Sequence, residues 1–321
     1  MGSGVVGSGV VARRVTVAVH EVRSRPALSA DDAAVLVRAA MMAPSVCDTQ
    51  PWRFCVADDA VEVYLDPRRV LPDVELAHRD AVISCGAALA GLELAAAHLG
   101  HLADVTLLPS RQHPNHLASV RRGRRQVATA EEERQYAALF RRRRLVRPFA
   151  DRPVHEQLVI ELELAAREHG VWAREVRGAG HRELVAETST WAAGELLADP
   201  ARRADLARWT DADLPWSLFE KLPRTEQATG RDVLLMLGTP GDAPADWLAA
   251  GRALQRVLLA AVTRGLAATL LTWPFGLVVV RRALVERVRL PGTPQVLMRV
   301  GHPLADRPLA PRRRLADVLL T

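Results

Sequence analysis

Two stretches of this chain, GAALAGLELAAAHLG (Gly86 to Gly100) and GRALQRVLLAAVTRG (Gly251 to Gly265), align at an offset of 165 positions. Gly86 falls on Gly251, Leu89 on Leu254, Leu94-Ala95-Ala96 on Leu259-Ala260-Ala261, and Gly100 on Gly265. Each stretch is apolar on most of its faces, which predicts a helix buried all round. Each stops at a glycine, the residue that accepts the left-handed turn after a helix. A β-type stretch follows both copies, ADVTLLP after the first and AATLLTWP after the second. A chain of 321 residues that carries one buried helix twice is expected to be a duplicated architecture, two halves each built round a central helix.

The remaining elements fit a mixed fold. Ser29 with Asp31 and Asp32 opens a helix whose apolar periodicity runs from Ala33 to Met42 and ends at Pro44. Trp52 to Val56 and Val61 to Leu65 flank Asp58-Asp59, the pattern of a hairpin. Glu131 to Arg144 has acids at its start and arginines at its end, as a helix dipole favours. Leu158 to His169 reads as a helix closed by Gly170, and Val233 to Leu237 and Gln295 to Val300 read as strands. Helices and strands mix without a strict βαβ rhythm, so the expected class is α+β. The stretch 178–250 is charged and carries Trp191, Trp209, Trp216 and Trp247, which suggests short helices laid over something as a lid or added to the core.

Several function classes are disfavoured. Net charge is +6, with arginine supplying nearly every cation and Lys221 the only lysine. The basic runs Arg121–Arg125, Arg141–Arg144 and Arg312–Arg314 are short and have no aromatic residues interleaved for stacking, so no nucleic-acid partner is expected. Apolar runs such as Leu254 to Val262 are broken by Gln255 and Arg256, and no membrane helix is expected. Three cysteines, Cys47, Cys55 and Cys85, lack a CxxC and fit a reducing cytoplasm. His98 with His101, and His113 with His116, have no partners in a zinc pattern, so no metal is expected. Gly2, Gly4 and Gly7 spell GxGxxG with no strand before them, so the start is expected to be a flexible tail.

The segment APSVCDTQPW, Ala43 to Trp52, sets short polar groups on a loop pinned by Pro44 and Pro51. With the residues around it, RAAMMAPSVCDTQPWRF resembles the APSxxNxQPWxF segment of the nitroreductase superfamily of FMN proteins. RRLVRPF, Arg143 to Phe149, resembles that family's RRSxRxF segment, which grips the FMN phosphate. The second central helix and the closing LPGTPQVLMRVGHPLADRPLAPRRRLADVL are also similar to family segments. With HRDAVISCGAALAGL, the arrangement resembles the Acg-like group of actinobacteria, in which two nitroreductase-like halves are fused.

That resemblance implies a nitroreductase-like fold divided as a tail (1–27), a first half (28–130) and a second half (131–321), with 178–250 inserted as a lid. It implies FMN as cofactor, NADH or NADPH as electron donor and a small-molecule acceptor, with the two halves acting as a dimer within one chain. The implied cofactor-binding residues are Ser45, Asp48, Gln50, Arg143, Arg147, Gly276, Arg312 and Arg313. Arg143 and Arg147 would form bidentate contacts with phosphate, and Gly276 would let backbone approach the ring. Asp48 stands where asparagine is usual, and Leu145 where a hydroxyl is usual. The first half lacks an RRSxRxF of its own, so one FMN per chain is expected. An alternative implied by the same group is a protein that holds FMN beneath a lid with little turnover.

Overall fold

The computed structural model describes residues 27–75, 78–141, 149–209, 231–270, 273–304 and 311–320. Helix α1 (Ala30–Met41) is capped by Ser29, whose hydroxyl accepts from Asp32 N at 3.0 Å. A hairpin of β1 (Trp52–Ala57) and β2 (Ala60–Leu65) follows, turning at Asp58 in the left-handed region. Then come α2 (Arg79–His98), β3 (His101–Leu107), β4 (His116–Arg125) and α3 (Ala130–Arg141). The second series is α4 (Glu156–Arg167), β5 (Trp172–Glu175), α5 (Ala179–Ala198), α6 (Pro200–Ala207) and β6 (Val233–Thr239). It continues with α7 (Pro244–Thr263), β7 (Ala267–Leu270), α8 (Val278–Val288), β8 (Thr293–Gly301) and the short α9 (Leu315–Val318).

The strands form two four-stranded antiparallel sheets, ordered β1-β2-β4-β3 and β5-β6-β8-β7. The two orders are the same once each strand of the second series is matched to its counterpart in the first. The difference lies at one connection. The β1–β2 hairpin is tight, with Ala57 opposite Ala60, whereas β5 and β6 are separated by 176–232, which carries α5 and α6.

The duplicated helices cross at their duplicated glycines. A Cβ on Gly86 would lie 2.4 Å from Leu248 O, and one on Gly251 would lie 2.0 Å from Ile83 O and 2.8 Å from Gly86 Cα. Only hydrogen at both positions lets the backbones of α2 and α7 touch, so the aligned glycines of the repeat meet each other. Around this contact one core cluster joins both series, from Leu36 and Trp52 through Leu89 and Leu92 to Leu254, Leu258 and Val300. A second cluster, with Phe275, Val185, Met236 and Leu297, packs α5 and α8 on the other face of the second sheet.

Two expectations need correction. Helix α2 is long and apolar enough to cross a membrane by length and composition, although no such stretch was expected; it is buried among the other elements, as a core helix is. The stretch 178–250 is not one unit. Residues 179–207 carry α5 and α6, 210–230 lie outside the described residues, and 233–250 include a wholly buried strand and the start of α7. Trp191 on α5 is half exposed, whereas Trp247 is buried and donates to Asp242 Oδ1 at 2.8 Å.

The end of the chain returns to the first sheet. Leu319 bridges Phe54 in parallel, and Leu320 N donates to Phe54 O at 2.7 Å. The exposed edge of β1 is thereby covered by the chain's last residues.

Candidate active site

The loop that follows α1 holds its backbone in an unusual shape. Cys47, Asp48 and Gln50 all have positive φ, at 45°, 54° and 49°. Left-handed backbone is uncommon for residues other than glycine and costs on the order of 1–3 kcal/mol at each position, so it persists only where surrounding contacts impose it. Those contacts are present. Ser45 Oγ accepts from Gln50 N at 3.0 Å, and Ser84 Oγ on α2 accepts from Val46 N at 3.2 Å. Arg69 Nε donates to Thr49 O at 2.5 Å.

The C-terminal tail closes the loop from the other side. Arg312 Nη1 pairs with Asp48 Oδ1 at 2.8 Å. Arg313 Nη1 donates to both Gln50 O and Trp52 O at 3.2 Å, and its backbone N donates to Gln50 Oε1 at 3.1 Å. Gln50 Nε2 donates to Pro311 O at 3.2 Å. Ser45, Asp48, Gln50, Arg312 and Arg313, predicted from the sequence, are thus brought to one place. The aspartate found where asparagine is usual is matched by a guanidinium, so the loop carries an ion pair between residues 264 positions apart.

Gly276 reaches the same end of α2 from the second series. It ends a single helical turn, Trp273–Gly276, and among the described residues a Cβ built on it would meet only Val74 O, at 3.9 Å. Backbone there is open to a planar group. Arg143, Leu145 and Arg147 lie outside the described residues. Phe149, which closes their motif, is described: it bridges Pro303, and its ring fills the space beside Gly301 and lies 5.4 Å from the Arg299 guanidinium.

Several groups at the site were not found from sequence. Arg69 links Thr49 O to Trp209, whose ring lies 4.7 Å from its guanidinium carbon. Asp73 N donates to the buried Asp205 of α6 at 3.2 Å, and Arg202 Nε donates to Asp73 O at 3.2 Å, so α6 docks on the turn before α2. Glu75, in that turn, accepts from Leu71 N at 3.2 Å and Ala81 N at 2.6 Å. Burial pushes its carboxyl up to about 8, with Asp80 adding in the same direction, and the two N–H groups pull against this without overcoming it. Ser84 and the pair Arg79-Asp80 did carry a signal: polar residues opening an otherwise apolar helix. Burial also raises the Cys85 thiol, as expected of a core cysteine.

The histidines have other partners. His98 stacks on Tyr136 and contacts Glu133 at 2.9 Å, and His116 stacks on Tyr64 and contacts Glu62 at 2.7 Å. In the basic runs, Arg121 pairs with Asp59 and Arg314 with Asp317.

The donor set suits a flavin nucleotide. A strained, externally braced loop offers fixed polar groups, Gly276 presents backbone without a side chain near Val74, and arginines approach from the tail.

A family model described as the nitroreductase family matches residues 18–75. The acg protein of Mycobacterium tuberculosis H37Rv, an NAD(P)H nitroreductase by name, is 30% identical over 309 residues, covering 88% of this chain and 93% of that one. A second M. tuberculosis protein, also named an NAD(P)H nitroreductase, is 30% identical over 311 residues, covering 87% and 88%. Among solved structures, an FMN-bound nitroreductase from Desulfitobacterium hafniense aligns with 59% of this chain and 97% of its own, at TM-score 0.43 and 14% identity.

Proposed function

Because the chain belongs to the nitroreductase family, in its Acg-like group, we propose that it is an FMN-dependent oxidoreductase that takes electrons from NADH or NADPH and delivers them to a small-molecule acceptor. The observation that carries this is the meeting of the strained 45–50 loop with Arg312 and Arg313. FMN, when bound, supplies the redox chemistry. The chain's own residues bind and orient it. Ser45 and Gln50 hold the loop, Arg312 neutralises Asp48 where an anionic cofactor would otherwise be repelled, and Gly276 leaves room for the ring. Arg143 and Arg147 would take the phosphate. No side-chain nucleophile is required.

One FMN per chain is expected. The first series has a ten-residue connection, 42–51, between α1 and β1, whereas α4 and β5 are joined by 168–171 alone. The second connection is too short to present a matching polar loop. The two series would then act as a dimer within one polypeptide, with only one of its two sites equipped. All three cysteines are thiols, which supports a reducing cytoplasm as its location.

A second reading, a flavin-holding protein with little turnover, is favoured by α6 docked on Asp73 and by α5 packed beside Phe275. Both contacts bring α5 and α6 against elements next to the proposed flavin site, as a lid over it would require. The visible spectrum of the purified protein, followed by anaerobic addition of NADH and then NADPH, decides between them. Flavin bands at one equivalent that bleach support the oxidoreductase. Bands that persist support the holding protein. A protein that neither carries FMN nor takes it up overturns both.

A further inference from the structure

The two walls of the proposed flavin site, the 45–50 loop and the 273–276 turn, come from opposite ends of the sequence, yet a hydrogen-bonded path joins them through the interior. It starts at the loop, where Val46 N donates to Ser84 Oγ at 3.2 Å and Ser84 Oγ donates to Asp80 O at 2.7 Å. The carboxylate of the same residue, Asp80 Oδ1, accepts from its neighbour Arg79 Nη1 at 2.5 Å. Arg79 crosses to the other series, its Nε and Nη2 donating to Gln295 Oε1 at 2.9 and 2.6 Å. Gln295 Nε2 donates to Asp242 Oδ1 at 3.3 Å, and Asp242 Oδ2 accepts from Arg281 Nη2 at 2.6 Å. Arg281 Nη1 then donates to Phe275 O, in the turn that ends at Gly276.

Most of this path is out of water. Arg79, Asp80, Ser84, Gln295 and Arg281 are all less than a tenth exposed, and Gln295 is fully buried. Burying two guanidinium groups and a carboxylate is costly unless each is paired, and apolar residues of similar size would often serve stability as well or better. Packing alone therefore does not account for it. A connected polar path has a property that an apolar core lacks: its geometry is directional, so fixing one end constrains the other.

We propose that Arg79, Gln295, Asp242 and Arg281 are positioning residues that set the gap between the 45–50 loop and the 273–276 turn, and so determine how tightly the proposed flavin is held between them. None of the four needs to touch the cofactor. The proposal rests on the flavin-binding reading for its purpose, but the coupling itself is a property of the cofactor-free chain.

The test breaks one end and observes the other. Amide hydrogen exchange is measured on cofactor-free wild type and on Arg281→Met, with Arg281→Lys as the milder variant should Arg281→Met fail to fold. The expected result is faster exchange both in 273–281 and in the 45–50 loop, with the β2–β4 ladder unchanged. Faster exchange confined to 273–288 overturns the proposal, whether or not the protein binds FMN. In the same proteins, FMN titration is carried through a Ser84→Ala and Arg281→Met double-mutant cycle. Non-additivity of about threefold or more in Kd is expected of sites sharing one network, and additive losses count against it. A wild type that binds no FMN removes the flavin reading and leaves the exchange result to decide the coupling.

Discussion

At the scale of single residues, Asp48 shows how far the sequence could be read. The loop's polar, proline-pinned character marked it as a binding element, and Ser45, Asp48 and Gln50 do share one small region. The partner of Asp48 was not legible, because Arg312 lies 264 positions away and sequence carries no distance in space. The pairing makes a specific prediction. Arg312→Ala leaves the Asp48 carboxylate without this ion pair at the proposed site of an anionic cofactor, and FMN Kd should rise about tenfold, or ~1.4 kcal/mol. Adding Asp48→Asn should recover part of that loss, since the uncompensated charge is gone; an FMN titration of the double variant showing summed losses would refute the pairing. Glu75 gives a pH signature. Its folded carboxyl titrates near 8 and its ordinary value is 4.5. Between these values the unfolded chain releases a proton that the folded chain keeps, so stability from this group is full below about pH 4.5 and is lost as pH rises toward 8. The thermal midpoint of the cofactor-free protein should fall across that window and level off above it. The fall should be shallower in Glu75→Gln, and an identical slope in both proteins would remove Glu75 as its source.

At the scale of elements, the repeated helix was legible because burial on all faces demands apolar residues at nearly every position. What the repeat meant was legible only in the structure, where Gly86 and Gly251 turn out to be the crossing point. Alanine is better than glycine in a helix by about 1 kcal/mol. Here that gain is opposed by a Cβ driven to 2.4 or 2.0 Å from backbone oxygen, and backbone cannot step aside as a side chain can. Overpacking of this kind typically costs ~1–3 kcal/mol, so the clash should win. Gly86→Ala and Gly251→Ala should each lower the denaturation midpoint, the second more than the first. Because the two glycines touch, the double variant should depart from additivity; a midpoint unchanged in both singles would contradict the crossing. β4 was missed for a physical reason. Its Arg121–Arg125 end is charged and half exposed, so it reads as a basic run rather than a strand, and its place between β2 and β3 is set by non-local pairing. The stretch 178–250 was marked out by its tryptophans and charges, but these gave no sign that it contains β6, which is buried throughout.

At the scale of the whole molecule, the α+β class could be anticipated from the mixed elements and a duplicated architecture from the repeat, while the strand orders and the buried path from Arg79 to Arg281 could not. That path gathers single residues from four separate segments, none of which is a motif by itself. The C-terminal tail belongs to this scale too, since it joins the end of the chain to the first sheet and the site at once. Removing 311–321 should abolish FMN binding and leave the Phe54 edge of β1 unpaired, so the shortened protein should also self-associate. Size-exclusion chromatography with absorbance detection reads both effects, and a monomer that still carries flavin would show that the tail is dispensable. The tail has a further consequence, one of timing during synthesis. Segments near the start of a chain can fold while later ones are still being made, but the 45–50 loop takes its ion pair from Arg312 and the first sheet takes its outer partner from Leu320. Arg312 is made 264 positions after the loop residue it pairs with. The 45–50 loop is therefore unbraced while the middle of the chain is being made, and it gains its ion pair only after Arg312 has followed it out of the ribosome.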